Sequence, residues 1–169
     1  MKKIYLTTMV GVFLLFCANI LQAQTTQTQL NQVELMKQWI GSWKCEIAKD
    51  TINTAEVISF GNVGAIEQNW TSFVKGKIIN EKKAIWGYDK KNDKYIVTEI
   101  SKNNEGINLS ARWFTSKNTI VTIPFEYLSN PEKATSKRVS ELKSPDLFIS
   151  TTIENNKQGR SVTYTRVKK

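Results

Sequence analysis

The chain has 169 residues, 24 Lys and Arg against 15 Asp and Glu, no His and two Cys, with 40% hydrophobic residues. That balance excludes a wholly disordered or collagen-like chain and suits one globular domain. The absence of His excludes His-ligated zinc and haem and every nucleophile activated by a His base.

The chain opens with Lys2 and Lys3, an apolar run from Met9 to Leu21, and a small residue, Ala23, before a polar stretch. This is the pattern of a secretory signal peptide over residues 1–23. The run is shorter than the roughly 20 residues of a membrane span, which places an uncleaved anchor second. Lipidation at Cys17 comes third, because the bulky Phe16 stands where lipoprotein signals carry a small residue. The expected location is therefore secreted or periplasmic. Cleavage leaves Cys45 as a single cysteine, so no internal disulfide forms.

Residues 24–29 read as a flexible polar lead, and residues 30–169 as the folded domain. Val33, Met36, Trp39 and Ile40 repeat at spacings of three and four, the mark of a short amphipathic helix, which Gly41 is expected to end. The period then switches to two. Trp43, Cys45 and Ile47 alternate with Lys44, Glu46 and Ala48, making Cys45 a buried small apolar residue on the first strand. Further strands are expected around Val57 and Phe60, from Ile66 to Val74, Ile78 to Gly87, Tyr95 to Ile100, Ile107 to Trp113, Thr119 to Leu128, Ala134 to Leu142, Leu147 to Ile153 and Ser161 to Val167. Turn signals separate them, among them Gly61-Asn62-Val63-Gly64, Asp89-Lys90-Lys91-Asn92-Asp93 and Ser129-Asn130-Pro131-Glu132. About ten short strands without βαβ alternation give an all-β antiparallel meander, closed as a barrel or stacked as a sandwich.

Chemical motifs are thin. The Asp89–Asp93 loop has Lys at its third position and lacks the later bidentate Glu of a calcium loop, so it reads as a hairpin. Glu67, Glu99 and Glu126 are strand-borne carboxylates, read first as solvated outer-face residues and second as acid/base candidates. The lysines are scattered beside turn residues, which suits solubility and a general pull on anions rather than a nucleic-acid stripe. No metal and no cofactor is implied. Five Trp is a high number for this length. Core filling accounts for part of it; the rest suits the aromatic wall of a small-molecule pocket, since a barrel of eight or more strands retains interior space. The candidate ligand-binding residues are Gln68, Trp70, Trp86, Tyr88, Arg112, Trp113, Phe125 and Tyr127, with Ser72 sharing the parity of Gln68 and Trp70. Arg112 and Trp113 have opposite parity, so only one of them faces inward, and parity alone does not choose.

The stretch Leu35-Met36-Lys37-Gln38-Trp39-Ile40-Gly41-Ser42-Trp43 runs a short helix into Gly-x-Trp at the first strand, and the last strand carries Arg166 in Thr163-Tyr164-Thr165-Arg166-Val167. Together these resemble the lipocalins and the wider calycin group. Trp86-Gly87-Tyr88-Asp89 before a lysine-rich hairpin also looks like bacterial lipocalin-like proteins. The resemblance implies a single up-and-down barrel of about 8–10 strands behind a short N-terminal helix. It also implies a structural closure by Gly41, Trp43 and Arg166, with the Arg166 cation over the Trp43 ring. The expected partner is a small apolar or amphipathic molecule in the cavity, with no nucleic acid and no membrane span after cleavage; the sequence does not fix the oligomeric state, and a monomer is one reading of it. The haem chemistry of ten-stranded relatives needs a His and does not carry over. A cell-envelope module working through its outer surface is the alternative reading, and a carboxylate enzyme the third.

Overall fold

In the computed structural model, residues 30–61 and 64–168 are described. The expected signal segment, the polar lead, the Cys17 alternative and the middle of the Gly61–Gly64 turn lie outside them. Helix α1 (Gln32–Met36) tightens into a 3-10 turn (Lys37–Trp39) and leads into ten strands. These are β1 (Gly41–Ala48), β2 (Thr51–Phe60), β3 (Ala65–Val74), β4 (Lys77–Asp89), β5 (Lys94–Ser101), β6 (Asn104–Phe114), β7 (Thr119–Pro124), β8 (Ser136–Ser144), β9 (Leu147–Glu154) and β10 (Lys157–Arg166). Each strand pairs antiparallel with its sequence neighbours, and β1 pairs with β10, so the meander closes into the expected barrel rather than a sandwich. Closure joins the two ends of the sheet through the Trp43–Arg166 and Lys44–Thr165 pairs. No helix among the described residues is long and apolar enough to cross a membrane.

The helix is shorter than its apolar period suggests. Asn31 caps it, its side-chain oxygen accepting from the Glu34 N–H at 3.0 Å. It must stop early because Ile40 adopts an extended backbone to start β1. Gly41 therefore opens a strand rather than ending the α-helix, and its φ of +133° is reserved for glycine. Gln32 ties α1 to the barrel: its amide nitrogen donates to the Phe114 carbonyl at 3.2 Å, and its amide oxygen accepts from the Phe114 N–H at 2.7 Å. One buried amide thus continues the β6 ladder as a strand residue would, satisfying groups that would be costly to leave bare.

The inner face of the closed end is a packed aromatic cluster. Trp39, Trp43, Trp86, Tyr95, Phe114, Phe148 and Tyr164 are all buried there. Phe148 is its hub, with ring centroids 4.6 Å from Trp39, 4.9 Å from Trp43 and 4.5 Å from Tyr164. Cys45 is buried beside them, and burial pushes its thiol pKa up, keeping it protonated and unreactive.

Two strand expectations need correction. The strand expected over Thr119–Leu128 ends at Pro124, and Phe125–Tyr127 forms a 3-10 turn. Proline has no N–H to give a further ladder bond, so the chain leaves the sheet there. The strand expected from Ala134 begins at Ser136, after a second 3-10 turn over Pro131–Lys133.

Closure rests on Arg166. Its guanidinium carbon lies 4.0 Å over the Trp43 ring. Nη1 donates to the Ile40 carbonyl at 2.6 Å, Nη2 to Gln38 at 2.8 Å and Nε to Pro145 at 2.9 Å, with Asp146 at 3.4 Å from Nε. The Trp43 indole donates in turn to the Trp39 carbonyl at 2.9 Å. A side chain on Gly41 would collide with the Arg166 guanidinium, a second reason for glycine at that position. Arg166→Met, which keeps the stem and removes the fork, is expected to lower stability by about 2–4 kcal/mol, because several carbonyls lose a charged donor. Arg166→Lys should recover little of it, since an ammonium cannot span the same acceptors. Urea unfolding followed by tryptophan fluorescence measures both.

Candidate functional site

The ladder registers fix which residues face inward. Tyr95 opposes Arg112, Arg112 opposes Thr122, Thr122 opposes Arg138 and Arg138 opposes Thr152. This belt lies on the same face as Phe114, Ile120, Ser140 and Phe148, all buried in the interior. Above the aromatic cluster the barrel is hollow. One cavity of about 250 Å³ is lined by Trp39, Trp43, Trp70, Trp86, Phe148 and Tyr164 below and by Asn53, Lys82, Glu99, Arg112, Arg138 and Arg160 above. A second, of about 300 Å³, shares Gln68, Trp70, Glu99, Arg112, Arg138 and Thr152 with it and extends towards β6 and β7. The interior thus grades from aromatic at the helix-covered end to polar and cationic towards the other, an amphipathic enclosure of the size of a small organic molecule.

The sequence candidates divide. Gln68, Trp70 and Ser72 on β3, Trp86 on β4 and Arg112 on β6 all line cavity space. Tyr88 packs against the core at the closed end, its hydroxyl donating to Asp93 at 2.6 Å, and it does not line either cavity. Trp113 is a correction: it opposes Val121 on the outer face, where the Lys94 ammonium lies 5.2 Å from its ring. Arg112, at the neighbouring position, takes the inward place. Phe125 and Tyr127 are corrected too, because the 3-10 turn after Pro124 carries both out of the strand and away from either cavity. Of the carboxylates, Glu67 is on the outer face, bonded to Lys83 at 2.8 Å and Asn69 at 3.1 Å, and these bonds hold its pKa down. Glu126 is exposed on the turn. Glu99 is not the outer-face residue its setting suggested: it lines both cavities, paired with Lys82 at 3.0 Å. Among the described residues it is the single acid lining either cavity, so no carboxylate pair converges there.

Arg112 has the most distinctive environment. Its Nε donates to the Thr122 hydroxyl at 2.9 Å, and its guanidinium carbon lies 4.0 Å over the Trp86 ring. It sits deep in the barrel yet touches cavity space, so the residue retains partial accessibility. Burial first, and then the nearby Arg138 charge, push its pKa down, while Glu99 opposes them.

Sequence reasoning missed Lys82, Arg138, Arg160, Phe148, Tyr164 and Ser150 as lining residues. Parity held a signal for two of them: Arg138 is two positions from buried Ser140, and Ser150 two from buried Phe148. Arg160 was concealed by a bulge. The β10–β9 register shifts between Gln158 and Ser161, so two residues, Gly159 and Arg160, face the span of Thr152. A side chain on Gly159 would press on the Thr152 carbonyl.

No protein-family model and no curated protein matches the chain.

Two buried phenols generate a pH dependence. Burial pushes the Tyr95 pKa up to about 12 from its ordinary 10, and burial likewise raises that of Tyr164. Between the unfolded and folded values the folded state holds protons that the unfolded state has lost, so their contribution is complete below pH 10 and declines as pH rises towards 12. The urea midpoint is expected to be level from pH 8 to 9.5 and to fall above 10, with Tyr95 alone accounting for about 1–3 kcal/mol. Tyr95→Phe should flatten part of that fall.

Proposed function

We propose that the protein is a secreted or periplasmic lipocalin-like binding protein that carries a small apolar or amphipathic molecule inside its barrel. The observation that carries this reading is the hollow interior: an aromatic-floored cavity of about 250 Å³ that adjoins a second of about 300 Å³ across shared residues. Core filling alone would leave few voids larger than a water molecule, whereas a small ligand needs a preformed concave site with apolar walls and a few fixed polar groups. Gln68 supplies one such group, a buried amide on the cavity wall. The Gly-x-Trp opening, the Arg166 cation over Trp43 and the ten-stranded meander support the family resemblance. The N-terminal Lys2-Lys3 and apolar run support export.

A second reading, a cell-envelope module that works through its outer wall, draws on a different observation. Ile58, Glu67, Ile85, Thr98 and Leu109 form one row across β2 to β6, and its three apolar members are exposed. Exposed Ile100 and Ile107 lie beyond the row at the β5–β6 irregularity. Such a surface suits a protein partner.

Four of the five tryptophans, Trp39, Trp43, Trp70 and Trp86, touch cavity space, so their fluorescence should respond to occupancy. Titration with a series of small aromatic and aliphatic amphiphiles is expected to give saturable quenching or a blue shift. Ser72→Trp, which fills the cavity from a half-buried position, should weaken the best ligand at least about tenfold while leaving the circular dichroism spectrum intact. Binding that survives this substitution, and is lost with Ile85→Glu instead, favours the outer wall.

A further inference from the structure

We propose that the molecule held in the barrel is an anion: an apolar body carrying a carboxylate or sulfonate that is received by Arg112, with Arg138 and Arg160 flanking it. This deepens the cavity-binding reading and rests on it.

The charge balance of the cavity is the first observation. Lys82, Arg112, Arg138 and Arg160 line it against the single acid Glu99, which is already engaged by Lys82 at 3.0 Å. Among the described residues, none of the three arginines has a carboxylate oxygen within 4.0 Å. Like charges facing one cavity repel one another, Arg138 and Arg160 less strongly because both are exposed to solvent. An anion placed among them converts the repulsion into attraction.

The second observation is the unused donor capacity of Arg112. A guanidinium carries five N–H donors in a planar fork. Arg112 spends Nε on Thr122, and Trp86 covers one face. Neither Nη makes a hydrogen bond to the described residues, although the side chain lines both cavities. Those paired N–H groups are the edge that receives a carboxylate or sulfonate through two parallel bonds.

Arg166 supplies the internal contrast. It too stacks on a tryptophan at 4.0 Å, but its three nitrogens are taken by the Ile40, Gln38 and Pro145 carbonyls, and Asp146 balances its charge. That is how this fold treats an arginine whose role is structural. Arg112 has the same aromatic seat with the fork left open. Trp70 and Trp86 then provide apolar walls beside the anion site. Arg138 and Arg160, exposed while still lining the cavity, give an incoming anion a favourable approach.

The test compares two probes with the same aromatic body: anilinonaphthalene sulfonate and its uncharged, sulfonate-free parent, phenylnaphthylamine. Their binding is followed by energy transfer from tryptophan. The protein should bind the sulfonate at least about tenfold more tightly than the parent, with the advantage shrinking as salt rises. Arg112→Gln should bring the two affinities together by weakening the sulfonate alone. Arg138→Gln, at an exposed side chain that leaves the core intact, should reduce the ratio by a smaller factor and guards against a folding defect in the first variant. Equal affinity for the two probes, or a preference unchanged in both variants, overturns the anion site while the cavity reading stands. Failure of both probes to bind overturns both.

Discussion

Arg166 ties three places in the chain together: its fork gathers carbonyls from the turn after α1 and from the Pro145 hairpin, and its flat face covers the Trp43 ring at the start of β1. A ten-stranded meander has one non-local seam, where its first and last strands must find each other across the whole sequence. The β1–β10 register is brief, with Trp43 opposite Arg166 and Lys44 opposite Thr165. Two ladder pairs are a weak constraint on their own, and long-range pairing is entropically expensive to establish. A planar charged group that bonds several carbonyls at fixed angles fixes what the short ladder leaves loose. The close approach of Gly41 to the Arg166 guanidinium follows from the same crowding.

The seam also decides where the interior is packed. Trp39 and Trp43 are held by the Arg166 and indole hydrogen bonds, and Phe148 packs on both. Gln32 anchors the helix to β6 at the same end. Packing is therefore concentrated at one end of the barrel, and the other keeps its space. Removing Arg166 would both destabilise the fold and loosen the aromatic floor of the cavity.

The strand meander was legible because antiparallel strands with one face buried alternate strictly, as Trp43, Cys45 and Ile47 do. The inward set was legible only in part. The choice between Arg112 and Trp113 runs against transfer energies, since the larger apolar side chain lies outside. Local partners explain the outcome: Lys94 covers the outer face of Trp113, and Trp86 with Thr122 receives the arginine. Glu99 likewise turns inward because Lys82, on the neighbouring strand, is there to pair with it. Such cross-strand partnerships depend on register, which a single strand's pattern does not contain. The bulge at Gly159 and Arg160 and the exit at Pro124 broke the simple period outright.

The resulting interior is costly by design criteria that consider folding alone. A guanidinium in a low-dielectric setting must be compensated, and one neutral hydroxyl with one ring face compensates it only in part. Its depressed pKa expresses the same deficit, with Arg138 adding to it rather than relieving it. A core selected purely for stability would place an apolar residue at 112, since a half-buried charge with few partners is weaker than well-packed hydrocarbon. The barrel meets the cost elsewhere, through the aromatic floor and the Arg166 seam. Locally inconsistent residues inside an otherwise consistent fold concentrate where a protein does its work. Here they converge on the space between Arg112, Arg138 and Arg160, above rings that would accept an apolar body.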